Sequence, residues 1–418
     1  MSRTGTTARP IRAPAAPPPS VAPGTSARGR SPLAVVFLTV FLDLVGFGIV
    51  IPLLPLYAER FGAGPVAVTW LVAVYSLMQF LFAPWWGRLS DRVGRRPVLL
   101  VGIFGAALSY LAFGLAGSLP VLFIARAVNG LMGANIGVAQ AYIADVTPPE
   151  QRARGMGLIG AAFGLGFIFG PAIGGLLSRY GHAAPFLGAA ALAAANGLLA
   201  LWRLPESLPA EVRRAAPPRG GLRARLATVL GSGRVLRGLY VTSFLATTGL
   251  AGMEATLSLW ADRRWSLSME TVAYGFAMLG IVAAAAQGLL VGPLVRRTGE
   301  RKAALTGLVL IALSMLGVAL APSLPWVGAA LALFAVGQGA LVPAVSAMIS
   351  HQGGPAEQGR LLGASQSLSA LARVVGPAWA GLAFAHVGLA SPYLSAAALA
   401  LLAMAVLGAS GGAAAPVP

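Results

Sequence analysis

The sequence predicts an all-α membrane protein, with twelve transmembrane helices in two six-helix pseudo-repeats. Three observations carry that prediction. The 418 residues are 57% hydrophobic and only 10% charged, where ordinary soluble domains carry about 25% charged residues. The apolar residues fall into a dozen runs, each close to the ~20 residues a helix needs to cross a bilayer. The segments between the runs are sorted by charge.

Taken in order, residues 1–31 are Pro, Ala, Ser and Arg with no apolar stretch, the composition of a disordered cytoplasmic tail. Spans are expected at 33–57, 66–86, 97–117, 120–143, 155–178 and 184–202. These form a first bundle within 32–203. A break at 204–235, with Pro217-Pro218, Gly220-Gly221 and many arginines, reads as a cytoplasmic linker. The second bundle, within 236–410, holds spans at 236–260, 270–292, 302–321, 324–350, 359–385 and 390–410. A short tail, 411–418, follows.

Orientation follows from the basic residues. With the N-terminus inside, 24 of the 30 Lys and Arg residues fall in segments on that side. Four (Arg60, Arg179, Arg263, Arg264) fall on the other, and Arg126 and Arg373 lie within spans. Cytoplasmic loops collect Lys and Arg, so both termini are expected in the cytoplasm of a cell-membrane protein. This layout also accounts for the net charge of +18. Nucleic-acid binding would need a basic patch on one soluble face, and none is expected. Without cysteine, disulfides, thiolate metal sites and cysteine nucleophiles are excluded. The three histidines (182, 351, 386) show no metal spacing. Neither a nucleophile–base pair nor a phosphate loop stands out. No catalytic residue, metal or cofactor is expected, and the chain does not read as an enzyme.

The two halves echo each other. Gly87-Arg-Leu-Ser-Asp91-Arg92-Val-Gly94-Arg95-Arg96-Pro97 follows the second span, and a degenerate copy from Gly292 to Lys302 follows the eighth, 205 residues later. Gly170-Pro171 in the fifth span matches Gly376-Pro377 in the eleventh. Parallel six-helix repeats are a recurrent transporter plan, with the substrate site between them near the midplane. In the 87–97 loop, glycines permit a tight link, Asp91 suits a helix N-terminus, and Pro97 suits a first helical turn. The arginines suit headgroups or Asp91 itself.

This loop resembles the cytoplasmic signature of the major facilitator superfamily. The run from Gly94 to Leu100 into Gly105-Ala-Ala-Leu-Ser109-Tyr110 resembles its tetracycline exporters, and further segments resemble the drug:proton antiporters of that superfamily. They are Asp43 to Tyr57 in span one, Arg126-x-x-Asn129-Gly130 in span four, and Asp145 to Gly155 after it. The fifth span adds Gly166-x-x-x-Gly170-Pro171-x-x-Gly174-Gly175, similar to the antiporter motif. The resemblance implies a secondary transporter. It implies a gating role for Gly87, Asp91, Arg92, Gly94, Arg95 and Arg96, and a hinge at Gly166, Gly170, Pro171, Gly174 and Gly175. Small residues four apart let helices approach closely, and Pro171 removes a helical hydrogen bond.

Embedded charges narrow the working residues. Only Asp43 and Glu254 among twelve acids fall well inside spans. At 1.5 Å per residue, Arg126 and Glu254 lie ~9 Å from the outer surface and Asp43 ~15 Å from the inner one. Each half thus pairs an acid with an arginine: Asp43 with Arg126, Glu254 with Arg373. Desolvation favours a protonated carboxylate and a neighbouring arginine favours the ionised form. An acid that alternates between such settings loads and releases a proton, and Glu254 or Asp43 is expected to do so. Phe47, Asn129, Gln140 and Gln338 are expected to line the substrate cavity, while Trp260, at a span end, reads as packing or interfacial anchoring. In the tetracycline-exporter pattern an aspartate stands where this chain has Ser109, and spans eight and nine carry charges absent here. The proton pathway is therefore expected to differ, through Glu254, and the cargo to be a lipophilic drug or metabolite. An uptake symporter of the same superfamily is the alternative, and a non-transporting sensor or scaffold a further one. The expected partners are a small molecule, protons and the bilayer, with the chain acting as a monomer.

Overall fold

A computed structural model describes residues 32–133, 136–148, 151–208, 227–354 and 357–411. The expected tail at 1–31, all but the first residue of that at 411–418, and most of the linker lie outside them. Among the described residues the structure is helical throughout, with no strand. The first half comprises α1 (Pro32–Glu59), α2 (Pro65–Val93), α3 (Arg95–Gly114), α4 (Leu119–Met132), α5 (Ile136–Val146), α6 (Arg152–Ser178) and α7 (Ala184–Arg203). The second comprises α8 (Arg234–Trp265), α9 (Met269–Ala286), α10 (Gly292–Thr298), α11 (Glu300–Ala319), α12 (Leu324–Ser350), α13 (Gln358–His386) and α14 (Ser391–Ala409). A π-helical turn, Gln287–Val291, joins α9 to α10.

The fourth expected span is described on either side of residues 134 and 135, as α4 and α5, and side chains of α2 bond to backbone carbonyls at the end of α4. Trp86 Nε1 donates to the Leu131 carbonyl at 2.6 Å, and Gln79 Nε2 to that of Gly133 at 3.1 Å.

Eleven spans, counting α4 and α5 together, are long and apolar enough to cross a membrane. The twelfth, α8, is a 32-residue helix with Thr242, Thr248, Glu254, Thr256 and Ser258 along it. Its apolarity is lower because it lies inside the molecule: Thr242, Thr256 and Ser258 are fully buried and bonded to backbone carbonyls. Outer faces carry exposed Leu108, Ile124, Met278, Leu313 and Leu401. An apolar surface of that extent suits lipid, not water.

The helix pairings repeat. In the first half α1 packs on α6 and α7, and α3 on α4 and α7. In the second, α8 packs on α13 and α14, and α11 on α12 and α14. The halves meet where α2 packs on α13 and α6 on α9, which is the same contact under exchange of the repeats. Glycines set these distances. A Cβ on Gly48 would lie 2.6 Å from the Gly166 carbonyl oxygen, and one on Gly170 would lie 2.7 Å from the Gly48 backbone. In the second half, Gly376 meets the Thr248 carbonyl in the same way.

Candidate transport cavity

A cavity of about 660 Å³ lies between the halves. Its α2 wall is Val72, Tyr75, Ser76, Gln79, Phe80, Ala83 and Gly87, spaced as one helical face. Its α13 wall, Gly363 to Pro377, includes Gln366, Ala370 and Arg373. Both walls run from mid-helix toward the face that carries α13's N-terminus, the loop after α2 and most of the arginines, called here the basic face.

Opposite that face the halves are joined. Ser258 Oγ of α8 donates to the Pro52 carbonyl of α1 at 2.8 Å, and Gly381 of α13 presses on Thr69 of α2. Arg263 pairs with Glu59 at 3.1 Å, and Arg179 Nε donates to Glu270 at 2.8 Å. These joins sit on the far side, and the cavity walls lead toward the basic face.

Three of the four expected cavity charges line it: Arg126, Glu254 and Arg373. Asp43 does not, and it does not pair with Arg126. The Arg126 guanidinium instead lies 4.5 Å from the centre of the Tyr75 ring, with Nη1 donating to Asn129 Oδ1 at 3.4 Å. Its Nε is buried without a hydrogen-bond partner. Glu254 and Arg373 interact electrostatically in the second half. Among the described residues no ion pair within 4.0 Å reaches either.

Phe47 and Gln140 line the cavity, and Phe47 packs on Tyr75 with ring centres 5.3 Å apart. Asn129 is buried against Arg126, behind the wall, and Gln338 is not among the lining residues. Trp260 packs against Trp265 and Tyr393, away from lipid. Sequence reasoning missed the lining residues Tyr75, Gln79 and Gln366. The helical face of α2 from Val72 to Gly87 could have found the first two.

The fifth-span glycines are packing surfaces. Gly166, Gly170 and Gly174 face α1, and Gly175 faces Ala273 and Tyr274 of α9. Helix α6 thus bridges the halves.

The 87–97 loop forms a charge cluster on the basic face. Gly94 has φ +112°, a region where glycine is favoured. Asp91 lies in the last turn of α2, four residues before the first residue of α3. It pairs with Arg95 Nη1 at 2.6 Å, while Arg95 Nε reaches Asp145 at 3.1 Å. The N-terminus of α3 is held by Glu206, which accepts from the backbone N–H of Arg95 at 2.8 Å and Arg96 at 3.2 Å. Gly87 lines the cavity, Arg92 is exposed, and Arg96 Nη2 donates to the Leu201 carbonyl.

Twelve spans in repeated sixes, closed at one face around a central cavity with embedded charges, define a membrane transporter of small molecules. The chain belongs to the Major Facilitator Superfamily, whose family model matches residues 36–377 and 265–410. It is 38% identical to the class C tetracycline resistance protein of Escherichia coli, over 84% of this chain and 89% of that one. It is 33% identical to the major facilitator superfamily domain-containing protein 10 of Bos taurus, over 90% and 92%. The crystal structure of the human organic anion transporter of that name matches with a TM-score of 0.70 at 30% identity, covering 90% of this chain and 98% of that chain.

Proposed function

We propose that this transporter is a proton-coupled exporter of lipophilic drugs or metabolites. It acts as a monomer by alternating access in the cell membrane, with both termini and the basic face in the cytoplasm. The observation that carries the reading is Glu254, a carboxylate in the wall of the central cavity with no ion pair among the described residues. Desolvation and a nearby arginine act on a carboxylate in opposite senses. A change in cavity hydration, or in the distance to Arg373, therefore loads or releases a proton. Asp43, outside the cavity wall, is left without that role.

Export is supported by the tetracycline resistance relatives. A lipophilic cargo is supported by the Phe47, Ile51, Phe80, Phe163 and Phe167 lining. Helix α6 serves as the hinge, since its glycines bind it to α1 and α9 at once, and the 87–97 cluster steadies the basic face between states.

The test is export of a panel of amphipathic compounds from cells making the protein, with and without a protonophore. Accumulation of one or more compounds should fall several-fold and recover when the proton gradient is collapsed. Export that survives the protonophore overturns proton coupling. Uptake in place of export overturns the direction.

A further inference from the structure

The repeat of the two halves extends to one corner of each on the basic face. Gly94 and Gly299, 205 residues apart, both take positive φ, +112° and +78°. Arg96 Nη2 donates to the Leu201 carbonyl at 2.6 Å, and Arg301 Nη2 donates to that of Leu407 at 3.2 Å, in the equivalent place. Ion pairs stand at equivalent positions too. Arg95 meets Asp145 at 3.1 Å in the first half, and Glu300 meets His351 at 3.5 Å in the second. Glu300 lies 205 residues beyond Arg95, and His351 lies 206 beyond Asp145.

Between the two copies the signs are exchanged. Arg95 opens α3 and Asp145 lies in the last turn of α5, so the helix dipole opposes each charge. Glu300 opens α11 and His351 directly follows α12, where the dipoles favour a carboxylate and a cation. Arginine and aspartate keep their charges through the neutral range. Histidine does not, since its charge changes between pH 5 and 8. The second-half pair is an ion pair only while His351 is protonated. Other charges of this corner are Arg296 and Arg297 in the last turn of α10, Arg301 and Lys302 beside Glu300, and the Glu357–Arg360 pair at the start of α13. Among the described residues, neither Glu300 nor His351 makes a further ion pair within 4.0 Å.

We propose that His351 is a pH sensor of the basic face. Protonation pairs it with Glu300 and completes in the second half the tie that the first half holds permanently. The chain leaving α12 toward α13 is then fastened to α11, and deprotonation frees it. Helix α13 is a wall of the cavity. The tie therefore favours the arrangement seen here, with the cavity walls leading toward the basic face. This regulation goes beyond the export reading. Only the identity of the sensed compartment, the cytoplasm, rests on that reading.

The test uses purified full-length protein in detergent with one cysteine, Gln366→Cys, at an exposed position of the α13 wall. Its reaction with a maleimide is timed at pH 6 and pH 8. Each rate is divided by that of the same protein carrying His351→Gln, which cancels the thiol's own titration. The ratio should be about two- to fivefold at pH 6, the population change that one exposed ion pair carries, and about one at pH 8. Thr69→Cys, at the closed far side, should show the inverse change. Glu300→Gln should abolish the pH 6 effect, and His351→Arg should keep it at both pH values. Gly363→Cys, where nothing lies within 4 Å of a Cβ, replaces the first reporter should that protein not fold. Ratios equal at the two pH values for both reporters, or a pH step that survives Glu300→Gln, overturn the proposal. Labelling in detergent needs neither a proton gradient nor a cargo. A missing pH step beside intact protonophore-sensitive export therefore sinks this inference alone, and the converse result sinks the export reading alone.

Discussion

The carboxylate of Glu206 sits on the N-terminus of α3, accepting from the backbone N–H of Arg95 at 2.8 Å. It also takes the N–H of Arg96, and so ties the end of the sixth span to the start of the third. The first N–H groups of a helix lack partners within it and carry partial positive charge. Removing the carboxylate by Glu206→Ala should cost ~0.5–2 kcal/mol, the range for lost helix caps. Glu206→Gln should cost less, since one acceptor remains. Thermal unfolding in detergent measures both, and equal melting temperatures for all three proteins would show that Glu206 caps nothing of consequence.

Packing between α1 and α6 predicts a contrast among glycines of one helix. A methyl group on Gly170 would press into the Gly48 backbone, whereas one on Gly164 would meet nothing within 4 Å. Backbone does not swing aside as a side chain does. Gly170→Ala should therefore destabilise by ~1–3 kcal/mol, the usual range for overpacking. Gly164→Ala should be neutral or gain up to ~1 kcal/mol from helix propensity. If transport and melting temperature fall equally in both, close approach is not what the glycines provide.

These two cases mark what the sequence could and could not say. Gly166, Gly170 and Gly174 were legible as a small face because helical periodicity is local. Arg126, Glu254 and Arg373 stood out because a charge inside an apolar run is costly wherever it points. What each charge pairs with was not legible, since pairing depends on helix rotation and tilt. That is why Asp43 was matched to Arg126, which instead stacks on Tyr75 of another helix. Asn129 and Gln338, polar positions expected to line the cavity, are not among its lining residues, because the side of a helix that faces a cavity depends on its rotation. Glu206 was invisible as a cap because its partners are backbone groups 111 and 110 residues away.

Separation of the two embedded acids gives a third prediction. Glu254→Gln keeps the shape and loses the titrating group, so substrate-driven proton movement should vanish. Downhill exchange of substrate should persist. Asp43→Asn should keep proton movement within about twofold of the native protein, because Asp43 stands off the cavity wall. A pH-sensitive dye trapped in proteoliposomes reads both. Proton movement retained in Glu254→Gln, or lost only in Asp43→Asn, would reassign the coupling group.

Closure of the far side rests on contacts of two kinds, and they should respond differently to mutation. Glu59–Arg263 and Arg179–Glu270 are partly exposed ion pairs across the halves. Exposed pairs of this kind contribute ~0–1 kcal/mol each, too little to change folding stability much. Yet alternating states differ by only a few kcal/mol, and a contact made in one state alone shifts their populations in full. Neutralising both pairs, with Glu59→Gln and Glu270→Gln, should leave the melting temperature nearly unchanged and raise the far-side-open fraction several-fold. The chain has no cysteine, so a single reporter can be introduced without background. Thr69 is fully buried against Gly381 in the closed arrangement. A Thr69→Cys reporter should therefore react slowly with a membrane-impermeant maleimide in the native background and several-fold faster once both pairs are neutralised. High salt should narrow the gap by screening the native pairs. An unchanged labelling rate in the doubly neutralised protein would show that helix packing, at Ser258–Pro52 and Thr69–Gly381, closes the far side unaided.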